Sequence, residues 1–347
     1  MRRGWRMHAP IMEGRGYYNA HSELQARSAA EADEILERAL STVAIPSGPI
    51  TVADFGCAQG RNSMRPLARV VDRLAERAEL GRDIMVVHTD LPQCDFVSLF
   101  DTLATAPNSY LSGRAHVFAS VVGRTFYEQL LPTGSLTFGW SAFALHWISA
   151  LPLALPTHIW STFATKEEVE ELAKVASADW ENFLAHRARE LVPGGQLVLV
   201  IGAVNEAGAS GLDPMMDLAN EVLKALVAEH FISADAYAAM TIPTLPRSRN
   251  EFIAPFESGK LPALSLEELV VTETPNAAMV RWQQTGDALT FAADISGFFI
   301  AAFGPSLFGT DEPLRDIFAD RFIQAIAAAP GEIARPLVTA TLRVMRR

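Results

Sequence analysis

The sequence has 347 residues, with 40 acidic against 29 Lys and Arg side chains, a formal net charge of −11 and 49% apolar residues. That length suits one large domain or a core with a sizeable insertion. The acidic balance and the scattered arginines exclude a nucleic-acid surface, which needs clustered Lys and Arg, so a small-molecule partner is expected. No uninterrupted apolar run reaches the roughly 20 residues of a membrane helix. The two cysteines, Cys57 and Cys94, are too few for a disulfide framework or a zinc cluster. The basic start, Met1-Arg-Arg-Gly-Trp-Arg-Met7, is followed by no hydrophobic stretch, so no signal peptide is read. A reduced, cytoplasmic setting is expected.

Residues 29–43 read as an amphipathic helix, because Ala32, Ile35, Leu36, Ala39, Leu40 and Val43 recur at three- and four-residue steps. Pro46-Ser-Gly-Pro49 breaks the chain, and residues 50–55 form a β-prone run ending in Gly56-Cys-Ala-Gln-Gly60. Leu67, Val70, Val71 and Leu74 mark a helix that stops at Gly81, and residues 84–88 form a second strand ending at Asp90-Leu-Pro92. Strand, glycine loop, helix, strand is a βαβ unit and predicts a parallel sheet. Residues 115–122 and 135–140 continue as strands. A helix carrying Trp180, Phe183, Leu184 and Arg187 turns at Pro193-Gly-Gly195 into a strand over 196–201. Residues 202–254 read as helical around a Pro-containing loop, 269–273 and 278–282 as β-prone, 291–328 as mostly helical, and 338–345 as a last strand.

The glycine loop has two defensible readings on its own. Backbone N–H groups of a strand-to-helix glycine turn can approach a ligand closely, yet the same turn serves with no ligand. Its glycines, Gly56 and Gly60, stand four apart, which is not the dinucleotide G-x-G-x-x-G, and no Gly-Lys-Ser/Thr follows. Asp90, past the end of the second strand, suits ribose hydroxyls and equally suits a turn.

Four segments in register resemble one family. They are Met12-Glu-Gly14 with Tyr17-Tyr-Asn-Ala-His-Ser22-Glu-Leu-Gln25; Ala53-Asp-Phe-Gly-Cys57-Ala-Gln-Gly60-Arg-Asn62; Asp90-Leu-Pro-Gln-Cys-Asp95-Phe96-Val-Ser-Leu-Phe100; and Gly123-Arg-Thr-Phe-Tyr127 running through Leu131-Pro132 to Ser141-Ala-Phe143-Ala-Leu-His146-Trp147-Ile-Ser149. The second is similar to A-D-L-G-C-S-S-G-P-N, the third to D-L-P-x-N-D-F-N-x-L-F, and the fourth to G-S-F-Y, L-F-P and S-S-Y-S-L-H-W-L-S. Together they resemble the SABATH family, the plant-type methyltransferases of salicylic, benzoic and jasmonic acids and of xanthine alkaloids. Order and spacing hold over residues 12–153 and again at Glu190-Leu-Val-Pro-Gly-Gly195.

The resemblance implies an α/β fold, a Rossmann-like class I methyltransferase sheet with an α-helical cap. Residues 1–205 would form the N-terminal segment and the S-adenosylmethionine-binding core. A cap over 206–258, a return to core strands over 259–285, a second cap segment over 286–332 and a final core strand over 333–347 would follow. It implies S-adenosylmethionine at Tyr18, Ser22, Asp54, Gly56, Cys57, Asn62, Asp90, Leu91, Thr125 and Phe126. The methyl acceptor would face Gln25, Phe143, His146 and Trp147, with S-adenosylhomocysteine as the product. It also implies a homodimer with no membrane or nucleic-acid partner. The chain departs from the family at Glu13, where a Lys is usual. It departs again at Ala238-Ala-Met-Thr241, where many members carry D-x-F-N linked to magnesium, so no metal is expected.

These residue types suit carboxyl methylation. A carboxylic acid with a pKa of about 4 is already ionised at neutral pH, so no general base is required. The enzyme must align oxygen, methyl carbon and sulfur and exclude water. The amide of Gln25 and the indole N–H of Trp147 can each donate to the carboxylate without neutralising it. Each also has a bland reading: Gln25 as a solvated helix residue, Trp147 and Phe143 as core, His146 as a structural imidazole. The alternatives are an N- or O-methyltransferase of a non-carboxylate, a binding protein on the same fold, and a serine hydrolase at Ser141. The last fails because Phe143 occupies the final glycine position of G-x-S-x-G.

Overall fold

The computed structural model describes residues 11–79 and 81–347. The basic start read above for the absence of a leader lies outside them. The described chain opens with α1 (Tyr17–His21), α2 (Glu23–Ala30) and α3 (Asp33–Thr42). An alternating region follows: β1 (Ile50–Phe55), α4 (Arg61–Arg77), β2 (Ile84–Asp90), α5 (Phe96–Thr105), β3 (Val117–Gly123), β4 (Leu136–Ala142), α6 (Lys166–Glu190) and β5 (Leu191–Gly202). Then come α7 (Asp213–Ala228), α8 (Ala234–Ala238), α9 (Arg249–Glu257), β6 (Leu264–Thr274), α10 (Ala277–Thr285), α11 (Ala288–Phe308), α12 (Glu312–Ala328), α13 (Pro330–Ile333) and β7 (Leu337–Arg346).

The strands form one sheet in the order β3-β2-β1-β4-β5-β7-β6. The first five pair in parallel, while β7 is antiparallel to both β5 and β6. The chain leaves the β3 edge to place β4 beside β1, so the order reverses between β1 and β4. The carboxyl ends of strands at such a switch point are where ligands bind.

Strand parity divides the core. Val52 of β1 and Val198 and Val200 of β5 pack under α3, α4 and α5, against Leu36, Leu67 and Val71. Ala53, Phe55, Leu197 and Leu199 point the other way, against Phe183 and Leu184 of α6 and Phe252 of α9. A third apolar cluster joins α7, α11 and α12 with Leu24 of α2 and Trp147 and forms the cap.

Several elements differ from the sequence expectation. The sheet is mixed, because the last two strands in chain order close one edge as antiparallel partners. The segment 278–282, expected as a strand, lies in helix α10: Asn276 caps it by accepting from Met279 N at 2.6 Å, and Gly286 ends it at φ 70°. End signals outweigh the β propensity of Val280 and Trp282. The helix expected over 29–43 is two helices, broken by a turn at residues 31–32. β5 starts at Leu191 rather than after the Pro-Gly-Gly turn, with its register against β4 shifting between Leu136 and Phe138. An apolar helix of membrane-spanning length does exist: α11 has 21 residues, and 83% of its apolar window is buried in the cap.

Candidate active site

The glycine loop follows β1 in a conformation few residues adopt. Gly56 and Gly60 have φ of 80° and 84°, and Ala58 between them has φ of 44°. A Cβ on Gly56 would stand 2.2 Å from the Ala144 Cβ, so only glycine lets the loop pass under the turn after β4. The N–H groups of Gly56 and Cys57 both donate to Thr89 O, at 2.9 and 3.1 Å. Asp90 ties the loop down from the end of β2. Its Oδ2 accepts from Ala58 N at 2.8 Å and its Oδ1 from Leu91 N at 2.8 Å. Burial pushes this carboxyl up to about 6, with the two backbone N–H groups opposing the rise.

Above the loop lies a cavity of about 580 Å³. Of the residues expected at the cofactor, Tyr18, Gly56, Asp90, Leu91, Thr125 and Phe126 line it. Phe143 and Trp147, expected at the acceptor, stand on its wall as well. The structure does not bring Ser22, Asp54, Cys57 or Asn62 to that wall. Asp54 shares strand parity with Val52 and faces inward, where its Oδ2 meets His88 Nδ1 at 2.9 Å and His88 Nε2 meets the Tyr110 hydroxyl at 2.7 Å. Ser22 donates to Asn62 Oδ1 at 3.3 Å. Cys57 is buried, and its thiol is pushed up by burial and by the neighbouring Cys94, Asp90 and Asp54.

A second, smaller cavity of about 40 Å³ adjoins the first, and Met12, Tyr18, Phe143 and Trp147 line both. It gathers Gln25 and His146 with Trp160, Phe298 and Phe303 of the cap side. Gln25 is 6% exposed, and its Oε1 has no hydrogen-bond partner among the described residues. A buried carboxamide left unpaired costs free energy unless a ligand meets it. The His146 ring is pushed down to about 3 by burial first and by the Arg247 charge second, so it is neutral at ordinary pH. Its Nδ1 also lacks a partner, beside the space that Gly202 leaves open.

The segment carrying these side chains is pinned from several directions. Phe143 leaves β4 at φ 57° while its N–H donates to Val200 O at 2.8 Å. Tyr127 donates to Trp147 O at 2.5 Å, Leu245 N to His146 O at 2.9 Å and Ile148 N to Pro243 O at 3.0 Å. Asp179 Oδ2 accepts from Ser149 N at 2.7 Å, and Arg247 donates to Leu145 O at 2.6 Å. Sequence reasoning missed Gln59, Tyr127, Asp179 and Arg247. Asp179 carries a sequence signal, as an acid in the apolar stripe of α6 beside Trp180 and Phe183, and Tyr127 stands at the tyrosine of the G-S-F-Y match.

A mixed, mostly parallel α/β sheet with a glycine loop after β1, an acid after β2 and an apolar cap over the switch point defines a Rossmann-like architecture. The family model described as SAM dependent carboxyl methyltransferase matches residues 7–309. The chain belongs to that family. Among its relatives, gibberellic acid methyltransferase 2 of Arabidopsis thaliana is 29% identical over 282 residues, covering 72% of each chain. Methyltransferase LUC1 of Fusarium sp is 27% identical over 68% of this chain, and the chain spans 64% of that relative's length. The solved structure of loganic acid methyltransferase with SAH shares the fold, with a TM-score of 0.77 at 19% identity over 97% of this chain and 99% of that one.

Proposed function

We propose that this protein methylates the carboxylate of a small apolar acid, using S-adenosylmethionine and giving a methyl ester. The observation that carries the reading is the pair of neutral N–H donors, the Gln25 amide and the Trp147 indole, that line the small cavity together. The large cavity fits the cofactor: its volume lies in the usual range for small-molecule sites, and it offers acceptor and apolar surfaces together. Asp90 would accept from the ribose hydroxyls, Leu91, Thr125 and Phe126 would flank the base, and Gly56 and Tyr18 would close the remaining wall. Ser22, Asp54, Cys57 and Asn62 would support the site from behind, through the loop and the strap they fix. When bound, S-adenosylmethionine supplies an electrophilic methyl group on a cationic sulfur.

The chain's own residues then orient and desolvate. Gln25 Nε2 and Trp147 Nε1 would hold the ionised acid by neutral donors, which leave its negative charge available for attack. No proton has to be removed, which agrees with a neutral His146 and with a Tyr18 hydroxyl that burial keeps protonated, the two titratable side chains on the small cavity among the described residues. Phe143 and His146 would form the wall around the carboxylate, and Trp160, Phe298 and Phe303 the wall around its tail. The small cavity has room for about three waters, which supports a compact acid. Ala238-Ala-Met-Thr241 offers no carboxylate where many members carry D-x-F-N. On that departure we take the reaction as magnesium-independent. Family likeness supports a homodimer, which sedimentation would check, and the two free cysteines support a reduced, cytoplasmic setting.

Incubation with methyl-labelled S-adenosylmethionine and a panel of small acids tests the reading. Label is expected in methyl esters; label found only on ring nitrogens overturns the carboxylate assignment. Calorimetry showing no binding of S-adenosylhomocysteine would make the protein a non-catalytic relative.

A further inference from the structure

Residues 12–19 cross the junction of the two cavities as a strap. Met12 and Tyr18 line both cavities, and Tyr18 is wedged in one apolar cluster between Ala58 of the glycine loop and Ala301 of α11. The strap is tied to the cap through Glu13, whose N–H donates to Ala301 O at 2.9 Å and whose carboxylate meets Arg315 at 3.3 Å. It is tied to the core at Arg15, whose N–H donates to Asp95 Oδ2 at 2.7 Å. A ligand enclosed by Met12 and Tyr18 leaves most directly when this strap lifts.

We propose that Gln59 is the latch of that strap and sets the residence time of the cofactor; the second part rests on the proposed cofactor site. Gln59 is 1% exposed, and both ends of its carboxamide are engaged with or beside the strap. Its Oε1 accepts from Asn19 N at 3.1 Å. Its Nε2 donates to Glu13 O at 2.8 Å and to Asp95 Oδ2 at 3.3 Å. One side chain of the glycine loop thus holds the strap near both of its ends, six residues apart. The latch is a feature of this chain: Gln59 stands where the family motif A-D-L-G-C-S-S-G-P-N has its second serine. A serine hydroxyl is two bonds shorter than the Gln amide and cannot reach Glu13 O and Asn19 N together. Lifting the strap breaks these bonds at once, so the latch acts as a positioning device for Met12 and Tyr18 rather than as a chemical participant.

The test compares wild type with Gln59→Ser and Gln59→Glu. Two quantities are read: the dissociation rate of S-adenosylhomocysteine, and the rate at which trypsin cuts after Arg15, whose side chain is 91% exposed. Gln59→Ser should release S-adenosylhomocysteine about tenfold faster, the loss expected for one or two buried hydrogen bonds, and should speed cleavage after Arg15 by a similar factor. Gln59→Glu keeps the length but sets an oxygen against Glu13 O and the Asp95 carboxylate, so it should free the strap at least as much. Wild-type cleavage rates in both variants overturn the latch. Faster release with unchanged cleavage also overturns it, because Gln59 would then be only a piece of cavity wall. If wild type binds no S-adenosylhomocysteine, the cofactor reading fails, and the latch stands or falls on the cleavage rates alone.

Discussion

Gln25 is expected to act on the acid and not on the cofactor cradle, whereas Trp147 borders both cavities. Replacing Gln25 by Ala removes a donor to a charged group, a loss of about 1.5–3 kcal/mol, so kcat/KM for the acid should fall roughly 10- to 100-fold. Calorimetric affinity for S-adenosylhomocysteine should stay at the wild-type value, because Gln25 lines only the small cavity. An equal fall in both would place Gln25 in the cofactor site instead. Asp90 should report on the cofactor through pH. Burial raises its carboxyl to about 6, while an unfolded Asp titrates near 4. The protonated form is therefore favoured by folding, and the stability it contributes, full below pH about 4, is lost as pH rises through about 6. Ribose hydroxyls donating to the carboxylate favour the ionised form, so cofactor affinity should climb over the same interval. Titrating S-adenosylhomocysteine by calorimetry from pH 5 to 8 should show this slope, and Asp90→Asn should flatten it. Asp54 illustrates what was and was not legible at this scale. The motif marked it as a site residue, and strand alternation, which puts it on the side of Val52, turns its carboxylate towards His88 rather than onto the cavity wall.

At the scale of elements, α6 organises the loop after β3 by a buried ion pair. Arg187 and Glu190 are both fully buried, with Arg187 Nε 2.7 Å from Glu190 Oε2. Arg187 also donates to Phe126 O at 2.9 Å and Glu128 O at 2.8 Å, while Glu190 Oε1 accepts from Leu130 N at 2.6 Å and Leu131 N at 3.0 Å. The guanidinium lies 4.5 Å from the centroid of the Phe55 ring. Arg187→Met strands the Glu190 charge and should cost about 3–5 kcal/mol in urea unfolding. An apolar double replacement often restores stability in buried pairs. Here it should not, because four backbone groups of residues 126–131 would lose their partners. Recovery in Arg187→Met/Glu190→Met would show that the loop does not depend on the pair. The sequence made α6 legible as a helix with Arg187 in its apolar stripe, and the Thr165-x-x-Glu168 capping box marks its start. It did not show the loop that fills the space around that charge, because the partners are backbone groups some 60 residues away. Helix α10 was misread for a local reason: its cap residues Asn276 and Gly286 carry more information than the β propensity of its interior.

At the scale of the whole molecule, the family match and the folding unit do not coincide. The match ends at residue 309, yet β7 (Leu337–Arg346) lies inside the sheet, hydrogen-bonded to β5 on one side and to β6 on the other. The early strands were readable because each is bounded by its own turn signals and followed by its own helix. The place of β7 was not, since pairing across more than a hundred residues leaves no mark in local periodicity. Its apolar residues nevertheless behave as core: Val338, Ala340, Leu342 and Val344 are at most 2% exposed. A chain ending at residue 309 would leave β5 with an open edge of unpaired N–H and C=O groups and uncover Leu197 and Leu199, a surface prone to aggregation. Such a chain should fail to give a cooperative melting transition, although it keeps the glycine loop, Asp90, Gln25 and Trp147. In the full chain, Leu342→Ala should cost about 2–5 kcal/mol by cavity formation, read as a lowered urea midpoint at unchanged slope. Cooperative melting of the shortened chain would mean that β1 to β5 form a self-sufficient core. The expected failure would mean that the cofactor site is held by a sheet in which the last strand of the chain is an internal one, paired on both sides.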